Sequence, residues 1–265
     1  MRATRAKGVR GFPGTGWVDS GVPERTRPTM QPMVLYERSG VVALVKPAGL
    51  PTQAPPGIES VESWLRRRLY GDAGEGYLGV PHRLDRAVSG VLLMAATPRA
   101  ARKLARQFER REVGKEYAAI VESRGGDWIG PDPVEWRDLI EKVADQARAR
   151  IAAAGEAGRE AVTRASLIAR LERPNGPPRL HLRLEPLTGR MHQLRLQATT
   201  RGWPIVGDTL YDAAADTLWA GPPPLAAREA ALALHAARIR YRDPDDGDEV
   251  VAEAPLPDCW PAGVA

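Results

Sequence analysis

The chain has 265 residues, 43% hydrophobic and 27% charged, with a net charge of +5 and a single cysteine, Cys259. That length can bury a core unaided, and the composition excludes wholesale disorder, collagen, coiled coil and a disulfide scaffold. No apolar run approaches the ~18 to 20 residues of a membrane span, and the basic N-terminus lacks the apolar stretch of a secretory signal, so a cytoplasmic location is expected.

Residues 1–32 are rich in Gly, Pro and Arg and have no apolar period; they are read as a flexible basic arm. They hold Arg2, Arg5, Lys7, Arg10, Arg25 and Arg27 against Asp19 and Glu24. Six minus two gives +4, so the rest of the chain carries only +1. Any surface for a polyanion on the folded part must therefore be a local patch.

Order is expected from Met33. Val34–Tyr36 and Val41–Val45 read as strands around a turn at Ser39-Gly40. A proline-rich loop follows, then a helix from Val61 to Tyr70 ending in Arg66-Arg67-Arg68. Leu78–Pro81 and Gly90–Ala95 are short strand candidates. Thr97-Pro98 opens a helix, with Thr as N-cap and Pro at the first helical position. Its apolar residues Ala101, Leu104, Ala105 and Phe108 recur at helical spacing, and Arg99, Arg102, Lys103, Arg106 and Arg110 lie mostly opposite. That basic face is read either as a solvated surface or as a phosphate-contacting stripe.

Lys115–Val121 reads as a strand and Gly125–Pro133 as a turn-rich break. Residues 143–160 are taken as a surface excursion. Strand character returns at Ala161–Leu171 and in the alternation of Leu180, Leu182 and Leu184 with His181, Arg183 and Glu185. That alternation puts His181 on the surface. Thr188 is read as the N-cap of a short helix reaching Thr200. Trp203–Val206, Leu232–Tyr241 and Glu249–Ala252 are further strand candidates. The pattern predicts an α+β domain on a mostly antiparallel sheet, spanning 33–258, with a C-terminal tail at 259–265. The phosphate-loop and dinucleotide fingerprints are missing, so nucleotide-cofactor chemistry is disfavoured.

Two polar segments interrupt this pattern. In Pro81-His82-Arg83-Leu84-Asp85-Arg86-Ala87-Val88-Ser89-Gly90, Asp85 sits between two arginines, which favour its ionised form. Such a carboxylate suits nucleophilic or electrostatic work, although an ordinary ion-paired loop aspartate has the same look. In Thr188-Gly189-Arg190-Met191-His192-Gln193-Leu194-Arg195, cations gather at a helix start, where a phosphate or a carboxylate can be held. The four histidines show no metal-ligand spacing, and no metal or cofactor is expected.

These strings, with Leu44-Val45-Lys46-Pro47-Ala48-Gly49-Leu50, Lys115-Glu116-Tyr117, Pro204-Ile205-Val206-Gly207-Asp208 plus Tyr211, and Leu234-His235-Ala236, resemble the RluA-type RNA pseudouridine synthases. The resemblance runs from about Val34 to Leu256 and keeps the family's order. Met191 and Val88 depart from it, standing where the family usually has a hydroxyl-bearing residue.

The resemblance implies a pseudouridine synthase fold with an RNA-binding cleft across the sheet, and an isomerase acting on uridine in tRNA or rRNA. It implies Asp85 as the catalytic aspartate, Arg195 as its partner, and Tyr117 against the uracil as a stacking ring or a base. Leu194 would pack on the uracil, and Arg83 would replace the extruded nucleotide or hold the RNA backbone. His82, Arg190 and His192 join these as substrate-binding residues. A non-catalytic RNA-binding or chaperone protein of the same fold is the alternative. The basic arm is too short and unpatterned for the small S4-type domain that many relatives carry; a monomer is expected.

Overall fold

The structure, a computed structural model, describes residues 31–126, 128, 132–153, 155–174, 176, 178–212, 232–258 and 260. The basic arm up to residue 30 lies outside the described residues. In chain order the elements are β1 (Met33–Arg38), β2 (Val41–Lys46), α1 (Val61–Tyr70), β3 (Ser89–Ala95), α2 (Pro98–Glu109), β4 (Gly114–Glu122), β5 (Val134–Lys142), β6 (Ala149–Ile151), β7 (Arg159–Leu171), β8 (Arg179–Pro186), α3 (Gln193–Thr200), β9 (Leu234–Arg242) and β10 (Glu249–Glu253).

The described strands join in one sheet of order β1-β2-β3-β9-β4-β8-β7-β5-β6, with β10 beside β9. Only the β3–β9 pair is parallel. This is the mostly antiparallel α+β arrangement expected from the sequence.

The central strands are buried on both faces, because successive side chains point to opposite sides. Val42, Leu44, Leu92 and Met94 pack in one core with Val61 and Leu65 of α1. Val41, Ala43, Val91, Leu93 and Ala95 pack in a second core with Ala100 and Leu104 of α2. The helices thus cover opposite faces of β2 and β3. α1 starts at a capping box between Ser60 and Ser63. α2 starts at Thr97, whose side chain accepts the Ala100 N–H. Its buried face is Ala100, Leu104 and Gln107, while Ala105 is exposed, so the helix is rotated from the expected face. The Gln107 amide explains the rotation: it donates to Arg242 O at 2.9 Å and accepts the Arg242 N–H at 2.8 Å.

Several other expectations change. Val134–Lys142 and Ala149–Ile151 form a strand pair at the sheet edge, so 143–160 is not a mere excursion. Leu78–Pro81 and Trp203–Val206 contribute isolated bridges, Gly79 to Ala95 and Val121 to Ile205, rather than strands. His181 is buried, not surface, and contacts Trp260 edge to face. Trp260, assigned by sequence to the tail, is itself buried against the core.

Gly90 marks where the parallel pairing begins. It has φ +117, and a Cβ there would collide with the Ala236 backbone. Beside it, the Ser89 hydroxyl lies 2.8 Å from His235 Nδ1, tying β3 to β9. Beyond that short contact the edge of β3 is satisfied differently: His82 Nε2 accepts the Leu93 N–H at 2.9 Å.

Candidate active site

The loop leading into β3 carries Asp85, and neighbouring polar groups fix its backbone. Thr52 Oγ1 donates to Leu84 O at 2.9 Å and accepts the Leu84 N–H at 3.2 Å. Lys46, fully buried, donates to Pro47 O, Leu50 O and Arg86 O at 2.9, 2.7 and 3.0 Å. Gly49 N donates to Arg86 O, and Arg86 Nε donates to Gly49 O. The residues before and after Asp85 are therefore anchored to the 46–52 loop, while its own side chain projects, about one-third exposed. Holding a reactive group through its backbone neighbours limits its wandering without occupying its oxygens.

The second segment is held by side chains. Thr188 is not a helix N-cap: its hydroxyl donates to Gln193 Oε1 and accepts the Val162 N–H. Gln193 donates to Val162 O and to Thr163 Oγ1. Thr163 donates onward to Gln197 Oε1, and Gln197 donates to Asp138 and the β5 and β7 backbone. A satisfied buried network of this kind rigidifies what it carries. The helix starts only after His192, which occupies the left-handed region at φ +52. A non-glycine residue there stores backbone strain, a feature that collects at functional sites. Met191 packs toward Ile140, Ala149 and Leu196, and Val88 is buried in the core, so both family departures serve apolar packing.

These two supports bring charged groups together. Arg195 is buried, and its Nε and Nη2 each donate to Asp208 at 2.8 Å in a bidentate pair. Asp208 Oδ1 also accepts the Leu210 and Tyr211 N–H groups. Arg195 Nη1 lies 4.0 Å from Asp85 Oδ2. The tight partner of Arg195 is thus Asp208, and Asp85, the partner the resemblance implies, stands at the outer limit of an ion pair.

His192 Nε2 lies 3.7 Å from the same Asp85 oxygen, and its Nδ1 is 2.7 Å from the Tyr211 hydroxyl. That hydroxyl also accepts the Ala149 N–H, and its own proton, given to Nδ1, would put the imidazole N–H on the Asp85 side. Burial holds the His192 pKa below the ordinary value, against the opposing pull of Asp85. The Tyr211 ring also packs on the Arg195 guanidinium, 5.1 Å from its centroid.

Asp85, Tyr117, Leu194 and Arg195 line one cavity of about 790 Å³. His82, Arg83, Arg190 and His192 line it as well, so every residue singled out from sequence reaches it. Their settings differ. Arg83 is exposed at the rim, and Leu194 is buried. Arg190 Nε donates to Glu160 O. His82 stacks on Phe108 at 4.5 Å, and burial pushes its pKa down to about 3, so it is a neutral wall residue with Nε2 already engaged. Burial, and then the Asp85 charge, raise the Tyr117 phenol above its ordinary value. Lys115, two residues earlier on β4, donates to Thr188 O at 3.4 Å, and burial lowers its pKa.

Cationic side chains dominate the lining: Arg83, Arg86, Arg111, Lys115, Arg190 and Arg195 against Asp85 and Glu109. This charge balance and the ring of Tyr117 suit an anionic ligand that carries a flat base. Among the described residues no cluster of three His, Cys, Asp or Glu side chains is placed to hold a metal.

Sequence reading assigned no role to Lys46, Thr52, Asp208 or Tyr211. Three of these stand in motif strings; only the fold shows that they support the reactive groups.

Known proteins resemble this chain in sequence and in fold. A family model described as RNA pseudouridylate synthase matches residues 40–200. "tRNA pseudouridine synthase C" of Salmonella typhimurium is 34% identical over 243 residues, 86% of this chain and 86% of that protein. "Dual-specificity RNA pseudouridine synthase RluA" of Haemophilus influenzae is 31% identical over 236 residues, 86% of this chain and 95% of its own length. Among solved structures, human RNA pseudouridylate synthase domain containing 1 superposes with a TM-score of 0.64 at 24% identity, covering 87% of this chain and 88% of that one. At that identity the likeness concerns the fold.

Proposed function

The chain belongs to the RNA pseudouridylate synthase family, and from that premise we propose that it isomerises uridine in structured RNA at the cavity holding Asp85. One observation carries the reading: Asp85, Tyr117 and Arg195, distant in sequence, line the same cavity.

Isomerisation breaks the N1–C1′ bond, turns the uracil over and joins C5 to C1′; N1 gains a proton and C5 loses one. A glycosidase needs a second carboxylate to activate water or protonate the leaving group. Here uracil leaves as a delocalised anion and no water attacks, so one carboxylate is enough. Asp85 either adds to C1′ or draws a proton from the sugar. Both routes require it ionised and within reach. Arg195 supplies positive charge at 4.0 Å without covering the oxygen. Asp208 holds the guanidinium so that this charge stays aimed.

Burial and the Asp85 charge keep Tyr117 a phenol, which favours stacking over a resident base. Extruding the uridine costs a few kcal/mol, and stacking on Tyr117 offsets roughly 1 to 3 kcal/mol of it. In this reading Arg83, exposed at the rim, fills the vacated stack or grips the backbone.

The substrate in this reading is tRNA or rRNA; one relative is named for tRNA and another for dual specificity. Residues 33–258 form the catalytic unit, a cytoplasmic monomer, with 1–32 as a basic arm and 259–265 as a tail whose Trp260 packs against the core. The test is pseudouridine mapping of total RNA from a strain lacking the protein and from its parent. A site lost in the mutant and restored by the purified protein, with no free uracil released, is expected. Identical maps, or liberation of uracil, would overturn the proposal.

A further inference from the structure

The outer face of α2 carries a charge pattern that works against its own helix. At 3.6 residues per turn, Arg99, Arg102, Lys103, Arg106 and Arg110 fall within roughly 100° of arc. All five are exposed. Like charges three and four residues apart repel, and the first turn contains one cation, Arg99, and no acid, the wrong sign for the helix dipole.

The fold compensates little of this. Arg99 pairs with Asp245 at 3.1 Å, and Arg110 reaches Glu112 only at 4.0 Å. Arg102, Lys103 and Arg106 have no ion pair among the described residues. The stripe runs toward the cavity, whose wall includes Phe108, Glu109 and Arg111 at the end of the same helix. Arg102 and Arg106, four residues apart, are offset by ~6 Å along the axis, a stride comparable to successive phosphates on one strand.

We propose that this face of α2 is the docking strip for the sugar–phosphate backbone of the RNA whose uridine enters the cavity. The inference rests on the proposed activity and deepens it. Its occupant is a polyanion continuous with the bound nucleotide, which supplies from outside the negative charge that the helix lacks. Phosphate contacts fix register and orientation without reading sequence. The strip therefore sets how the RNA lies, while the cavity selects the base.

The test uses the full chain carrying R102Q, K103Q and R106Q together, with 5-tritiated, unmodified total tRNA as the probe. Each lost phosphate contact removes about 0.7 to 0.9 from the slope of log affinity against log salt. The variant should lose about 2 to 3 in that slope, keep the single-turnover rate at saturating RNA, and melt no lower than the wild type because repulsion is relieved.

An unchanged salt slope would overturn the strip. So would an equal loss on removing the ion-paired Arg137, Arg150 and Arg164, since net charge alone would then be responsible. A wild type that binds this RNA but releases no tritium would count against the proposed activity with this RNA, and the strip would still be decided by the slope.

Discussion

The two ends of β4 show two ways of housing a carboxylate. At one end, Glu122 itself is saturated: Arg179 Nε and Nη2 lie 2.9 and 2.8 Å from Oε1, and Arg173 donates to Oε2 at 3.0 Å. At the other end, beside Tyr117, the ratio is reversed. Two carboxylates, Asp85 and Asp208, face one guanidinium, and Asp208 takes both close contacts. Glu122 is a closed ion cluster. Asp85 is left with charge support and open oxygens. A carboxylate that must react cannot be covered by its counter-ion, and the Asp208 pair prevents that by anchoring Arg195 elsewhere.

Arg195→Met should break this contrast most severely. It strands Asp208, whose side chain is wholly buried, and removes the cation near Asp85. Breaking a buried pair costs about 3 to 5 kcal/mol. Thermal unfolding should fall by ~2 to 4 °C per kcal/mol, and turnover should be lost. Glu122→Gln is the matching control. It should cost about 1 to 3 kcal/mol in unfolding experiments yet leave turnover unchanged below the transition. A large loss of kcat there would mean that the far cluster communicates with the site.

Smaller effects test the supports of Asp85. Thr52→Val removes both bonds to Leu84, about 1 to 2 kcal/mol of positioning, and should lower kcat roughly tenfold with little change in KM. Tyr211→Phe frees the His192 tautomer and should lower kcat several-fold, with ring nitrogen shifts in NMR reporting the tautomer change.

Acid should also destabilise the fold through the cavity wall. His82 resists protonation down to about 3 when folded, whereas the unfolded chain binds that proton from about 6.5. Its contribution is therefore present above pH 6.5 and is lost as the pH falls toward 3. Urea midpoints should drop across that window less steeply in His82→Gln, whose amide oxygen can still accept the Leu93 N–H.

The elements legible in the sequence were those with strong local signals: the Thr97-Pro98 helix start, the Ser39-Gly40 turn with positive φ at both residues, and the apolar strands β2, β3 and β8. The β5 and β6 strands were missed. Their outward positions are charged, as Glu135 and Arg137 show, and only Trp136 and Ile140 of β5 are deeply buried. Thr188 has the composition of an N-cap, but Gln193 and Val162 capture its hydroxyl, a pairing fixed by β7 and invisible locally.

The cavity residues were readable because their strings resemble a family. The Asp208 support was not, because a buried aspartate is explained only by the guanidinium that tertiary folding brings to it.

The most direct measurement is tritium release from 5-tritiated uridine RNA by the wild type and by Asp85→Asn, with RNA affinity measured alongside. The amide retains the shape of the side chain but cannot serve as nucleophile or base. Turnover should fall by on the order of 10³-fold or more while affinity holds. Release by Asp85→Asn at a rate near that of the wild type would show that the chemistry does not pass through this carboxylate.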